Sequence, residues 1–240
     1  MGGAILSTGR KDYCTPPVLV EKIRWFFQQV NSRGITLDPC SNPKSLVMAE
    51  KNIMLETGIA LSEAAVTVSA ELISRGLETL LFRGGDPATM PAPWPMSFTT
   101  GNGMTMSWQG DNTYFNPPFG YNKETKVGVK TWIAKAIKEA ELAKIRRQND
   151  TLDNTEIIAC IPDTPETIPW KMGILLKADG RCQLGKRVPF MGMKQGIPKP
   201  ISLVYFGSRP DLFKNVFKYL GRVENPSVVY ADQADINPTF

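Results

Sequence analysis

Between Thr15 and Val30 the apolar residues Val18, Leu19, Ile23, Phe26, Phe27 and Val30 recur three and four positions apart. That spacing puts them on one face and predicts a helix, with Thr15 as its N-cap and prolines in its first turn. Ile35 to Leu37 then read as a short strand running into an Asp38-Pro39-Cys40-Ser41-Asn42-Pro43 turn, followed by a more helical stretch. From 57 to 107 no single period holds. SEAAVTVSAELISRGLETLLF reads as a helix or helix pair, and RGGDPATMPAPWPMSFTTGNG as a Pro/Gly-rich loop. NTYF is a second strand, and VGVKTWIAKAIKEAELAKIRRQN is a helix that turns Trp132, Ile133, Ala136, Ile137 and Ala140 inward. EIIACIP and PISLVYFG are continuous apolar runs of the kind that buried strands carry. Strands alternating with helices predict an α/β fold with a mostly parallel sheet. The chain reads as a single domain over 1–240, with 57–107 as an insertion, a lid or a target-recognition segment.

The second strand ends abruptly. In YFNPPFG, Pro117 and Pro118 have no amide hydrogen and hold φ near −65°. Asn116 and Pro117, each preceding a proline, are pushed out of the helical region. The result is a stiff corner that leaves carbonyls available and fixes its side chains. It fits either a plain strand terminator or a preorganised polar site.

Position favours a site. Ligands of open parallel sheets bind beyond the carboxyl ends of the strands, and two predicted strand ends carry polar, proline-bearing loops. If the strands are neighbours, Asp38-Pro39-Cys40-Ser41 and Asn116-Pro117-Pro118-Phe119 share one crevice. A carboxylate there suits an ammonium group or a ribose hydroxyl. An amide oxygen, a proline carbonyl and an aromatic ring suit a planar base with an exocyclic amino group.

Composition narrows the chemistry. Of 240 residues, 42% are hydrophobic, enough for a substantial core. No apolar run reaches the length of a membrane span, and the N-terminal residues lack the apolar core of a signal peptide, which points to the cytoplasm. There is no histidine, and the four cysteines are widely spaced, so neither a structural zinc site nor imidazole catalysis is expected. With 28 basic against 23 acidic residues the net charge is +5, which suits a polyanionic partner.

Asn116-Pro117-Pro118-Phe119 resembles the (D/N/S)-P-P-(Y/F) motif of amino-methyltransferases that use S-adenosylmethionine. TPPVLVEKI is similar to the T-P-x-x-L-V helix that precedes their cofactor loop, and TLDPCSN to their divergent first motif. The order YCTPP, LDPCS, NGMTMSWQG, NPPFG, VKTWIAKAI, IIACIPDTPETIPW, GKRVPF, ISLVYFG resembles the phage-type DNA adenine-N6 methyltransferases over about residues 12–207. Four departures stand out: there is no glycine-rich cofactor loop, Phe119 replaces the commoner Tyr, Asn102 replaces Asp, and Lys186-Arg187 varies the family's G-R pattern, leaving open which basic residue does the family arginine's work.

The resemblance implies a Rossmann-like, class I methyltransferase sheet and transfer of methyl from S-adenosylmethionine to adenine N6 in double-stranded DNA, with the base flipped out. It implies that Asn116, Pro117, Pro118 and Phe119 grip the base, and that Thr15, Pro16, Asp38, Pro39, Cys40 and Ser41 hold the cofactor. Lys186 and Arg187 fall on its basic DNA-facing element. It also implies a phage setting or a restriction-modification role. Cytosine N4, an RNA base or a glutamine amide remain alternative targets, as does a non-catalytic DNA-binding relative. Trp132 and Trp170 fit core packing or base contact, and KIRRQN a solvated helix end or a phosphate contact.

Overall fold

The computed structural model describes residues 14–41, 45–54, 97–121, 123, 126–149, 152–188, 190 and 197–228. It is a mixed α/β fold around one sheet. In chain order the elements are α1 (Pro17–Asn31), β1 (Leu37–Ser41), β2 (Lys51–Met54), β3 (Ser97–Thr100), β4 (Asn112–Phe115), α2 (Val129–Gln148), β5 (Glu156–Pro162), β6 (Gly180–Leu184), β7 (Ile201–Phe206), α3 (Pro210–Phe217) and β8 (Gly221–Glu224). A π-helical turn, Trp170–Ile174, continues as Leu175–Lys177 between β5 and β6. No helix among the described residues is long and apolar enough to cross a membrane.

The strand order is β3-β2-β1-β4-β5-β7-β6-β8. From β3 to β5 every pairing is parallel, with Leu37 opposite Thr113 joining β1 to β4. This half follows the Rossmann-like order, which reverses direction at β1/β4. β7 lies antiparallel between β5 and β6, and β8 runs antiparallel along β6. The apolar run of β7 is buried at every residue; such a run looks alike in either direction, so its sequence predicts a strand but not its sense.

Successive side chains of a strand point to opposite faces, which builds two cores. Tyr114, Ile158, Cys160, Leu203 and Tyr205 face α1 and α3, where they meet Phe26, Phe213 and Phe217. Phe115, Ile157, Ala159, Ile161 and Val204 face the other way, toward Trp108, Trp132 and Trp170. Trp132 and Trp170 are therefore core residues.

Four local expectations change. Pro16, not Thr15, is the N-cap of α1, and Val18 of the proposed stripe is exposed. β1 begins at Leu37 and runs through Asp38-Pro39-Cys40-Ser41, so the expected turn is strand with a register shift against β2; a proline without an N–H is tolerated at such an irregularity. The stretch expected to be helical is not: residues 45–50 form no helix, with Met48 at a left-handed φ of 48°, and Lys51–Met54 are β2. The SEAAV segment and the Pro/Gly-rich loop up to residue 96 lie outside the described residues.

Candidate active site

Because β1 and β4 are parallel neighbours, their carboxyl ends lie side by side at one edge of the sheet. Asn116 is half-buried with its Oδ1 out of solvent, Pro117 is buried, and Pro118 and Phe119 are half-buried. On β1, Asp38, Pro39, Cys40 and Ser41 are all buried. The two loops touch: the backbone of Asn116 hydrogen-bonds the Cys40 sulfur.

Asp38 is 3% exposed. Its Oδ1 accepts from the Cys40 amide at 3.2 Å and its Oδ2 from Ser45 Oγ at 3.4 Å. Desolvation dominates these bonds and pushes the carboxyl up to about 7 from its ordinary 3.8. A positively charged or hydroxyl-bearing ligand would therefore find a carboxylate in want of compensation. Burial also drives the Cys40 thiol well above its usual range, with Asp38 adding to the effect, so Cys40 packs and does not act as a nucleophile at neutral pH. Ser41 Oγ lies beside Asp38 yet makes no hydrogen bond of ordinary geometry among the described residues.

Thr15 stands immediately before α1 and is buried. Instead of capping the helix, its hydroxyl shares a 2.6 Å hydrogen bond with the hydroxyl of Tyr114 on β4. This bond fixes Thr15, and the half-buried Pro16 after it, against the strand that ends in Asn116. Phe119 meets Phe190 edge to face, centroids 5.9 Å apart at 88°. Two separate sequence elements, NPPFG and GKRVPF, are thereby brought together.

A third loop joins them. Asn102 and Gly103 follow β3, and Gly103 lies so close to Pro39 that a Cβ there would stand 2.7 Å from the proline Cβ. Asn102 forms a local turn, accepting from the Met104 amide at 3.0 Å through Oδ1. An aspartate would make the same turn, so this position does not need a carboxylate's charge. Trp108 closes the loop by donating Nε1–H to the Gly103 carbonyl at 3.0 Å, and its amide donates to Glu139 of α2 at 3.2 Å.

Lys186 and Arg187 are exposed on the loop leaving β6. β6 runs parallel to β4, because β5 is parallel to β4 and the two reversals at β5/β7 and β7/β6 cancel, so these cations share the carboxyl edge with Asn116. They stand three strand positions from β4, roughly 14 Å along the sheet. Arg146 and Arg147 of KIRRQN belong to the opposite edge. Arg146 pairs with Asp153, and Arg147 bonds the carbonyls of Asp153 and Thr155, which removes the phosphate-contact alternative for them.

Asp163, Arg181 and Gln183 form a cluster that the sequence reading passed over. Asp163, just past β5, is gripped by Arg181 Nη2 at 2.7 and 2.8 Å and by Gln183 Nε2. Arg181 also pairs with Glu224 and lies 5.2 Å from the Trp170 ring. The signal in the sequence is the Gly180-Arg181 step, which precedes Gly185-Lys186-Arg187 by five residues. Among the described residues no group of three or more His, Cys, Asp or Glu side chains is placed to hold a metal ion.

Compared with the profiles of known families, with curated proteins and with solved structures, the chain matches none. The chemistry must be read from the residues themselves.

Proposed function

We propose that this protein transfers a methyl group from S-adenosylmethionine to the N6 amino group of adenine in double-stranded DNA. One observation carries the reading: Asn116-Pro117-Pro118-Phe119 follow β4, Asp38-Pro39-Cys40-Ser41 belong to its parallel neighbour β1, and the two touch through Cys40 and Asn116 at the point where strand order reverses. The class I methyltransferase type of sheet is part of the same proposal, and the Rossmann-like order of the parallel half supports it.

The donor set fits the cofactor. Asp38 supplies acceptor oxygens for an ammonium or hydroxyl, Thr15 and Ser41 supply hydroxyls, and Pro16, Pro39 and Cys40 supply close, largely apolar walls. Bound S-adenosylmethionine would bring an electrophilic methyl already attached to a good leaving group. The protein's own residues would do the rest. Asn116 Oδ1 and the Pro117 carbonyl would accept the two amino hydrogens of the base, drawing the nitrogen lone pair out of ring conjugation. Pro118 would stiffen that corner, and Phe119 would stack on the base once it is rotated out of the duplex. The departing proton can pass to water. Positioning and electrostatics suffice, which accords with a chain that has no histidine.

The test is incubation of the purified protein with methyl-labelled S-adenosylmethionine and unmethylated duplex DNA, followed by digestion to nucleosides. Label in N6-methyladenosine is the expected result. Label in N4-methylcytosine, in RNA or in a glutamine amide keeps the chemistry and changes the target. Absence of label together with absence of cofactor binding by calorimetry overturns the proposal.

A further inference from the structure

The cations of this protein divide by edge. At the amino edge of the sheet most are paired with acids, Arg33 with Glu50, Lys51 with Asp111, Lys144 with Asp179 and Arg146 with Asp153, and Arg209, after β7, is the exception. At the carboxyl edge they are not. Lys126 follows β4, Lys171 lies on the segment leaving β5, Lys199 precedes β7, Lys186 and Arg187 follow β6, and Lys218 stands at the turn into β8. All six are exposed, and none is joined to an acid by an ion pair among the described residues. On these same loops Glu166 is the exposed acid among the described residues, since Asp163 is buried and spent on Arg181.

We infer that the carboxyl edge from β4 to β8 is a phosphate-binding rail on which a nucleic-acid duplex lies, with the Asn116 corner at one end of it. The half of the edge formed by β1 to β3 carries the buried carboxylate and stays outside the rail. Four strand spacings separate β4 from β8, roughly 19 Å. That length matches about five to six base pairs of B-form DNA. A short run of one duplex face thus spans the rail while a base at its end reaches Asn116 and Phe119. The choice of a duplex among polyanions rests on the proposed methyl-transfer reading; the rail itself rests on the charge distribution.

The experiment is fluorescence anisotropy of a labelled 20-base-pair duplex with the full chain, without cofactor, between 50 and 300 mM NaCl. Six phosphate contacts give a slope of log K against log[salt] of about −5. Lys171→Glu with Lys199→Glu, both outside the methyl-transfer residues, should flatten that slope by about 2 and weaken binding at least tenfold at 100 mM salt. Lys138→Glu, an equal charge change on the exposed face of α2, should leave both unchanged. A slope shallower than −2, or an equal effect of Lys138→Glu, overturns the rail. Binding of polyglutamate but not duplex assigns the edge to an acidic protein partner and likewise overturns it. Duplex binding with the expected slope but no methyl transfer keeps the rail and removes the methyltransferase reading. Adenine methylation with a slope indifferent to Lys171 and Lys199 does the reverse.

Discussion

Replacing Asp38 by Asn should make the protein more stable at alkaline pH while abolishing cofactor binding. A carboxyl whose folded pKa lies above its unfolded value holds its proton more tightly when folded. Its contribution is complete below the unfolded value, near 3.8, and is lost as pH rises through about 7. Three pKa units at about 1.36 kcal/mol each put the full loss near 4 kcal/mol. Between pH 5 and pH 8 the same linkage gives about 2 to 3 kcal/mol, or roughly 5–10 °C in Tm for a chain of this size. Asn keeps an oxygen for the Cys40 amide, and its NH2 can donate to Ser45, whose hydroxyl can turn to accept. The variant removes the ionisation with little change of shape. Chemical denaturation of both proteins at pH 5, 6, 7 and 8 reads the effect directly: the wild type should lose stability relative to Asp38→Asn across that range and level off above it. Parallel curves for the two proteins would refute the reasoning, because Asp38 would then titrate normally and its burial would carry no strain for a ligand to relieve.

Three further outcomes follow from the same geometry. Asn116→Ala should lower methyl transfer by about 10²–10³-fold, the scale of losing one aligned polar group at a reacting centre, while S-adenosylmethionine binding by calorimetry stays within about twofold; equal loss of both would mean that Asn116 serves the cofactor. Thr15→Val and Tyr114→Phe should each weaken cofactor binding, and the double variant should be no worse than either alone, since both remove one hydrogen bond. Additive losses would show that the 2.6 Å contact is not what places Thr15. Phe26→Ala should cost about 3–5 kcal/mol in urea denaturation, because the Phe26 ring packs against Phe27, Tyr205, Phe213 and Phe217 at 5.2–5.9 Å; a cost below 1 kcal/mol would contradict that packing.

What could be read from the sequence was local. The two prolines after Phe115 announce the end of β4, and the periodicity of residues 129–148 announces α2, because both signals sit within a few residues of the feature they specify. The direction of β7 left no mark, since full burial on both faces erases alternation. β2 and β3 were missed for a different reason: four-residue strands such as Lys-Asn-Ile-Met are stabilised by their neighbours in the sheet more than by propensity. The candidate site divides in the same way. Asn116 was visible as a strand-end residue and Asp38 as a polar residue beside a proline, but Asp38 lies within β1, the Thr15–Tyr114 bond spans 99 positions and the Arg181–Asp163 pair joins different elements. Spacing along the chain carries no trace of such pairings, and only the sheet order creates them. For Arg146 and Arg147 of KIRRQN two readings stayed open in the sequence, and the partners that decide between them, Asp153 and the carbonyls of Asp153 and Thr155, come from the loop just after the helix.

The aromatic cluster beneath the β4 corner has an optical consequence. Trp108 and Trp132 lie nearly parallel at 21° with centroids 6.4 Å apart, and Phe115, the residue before Asn116, is within 5.4 Å of the Trp108 ring and 6.0 Å of the Trp132 ring. Two indoles fixed in a chiral stack absorb as a coupled pair and give a near-ultraviolet circular dichroism band that vanishes when tertiary packing loosens. Any ligand that shifts Asn116 must disturb that stack through Phe115. The unmodified chain thus carries its own spectroscopic gauge of the site, which matters for a protein whose four cysteines are buried thiols and so offer no handle for a dye without unfolding.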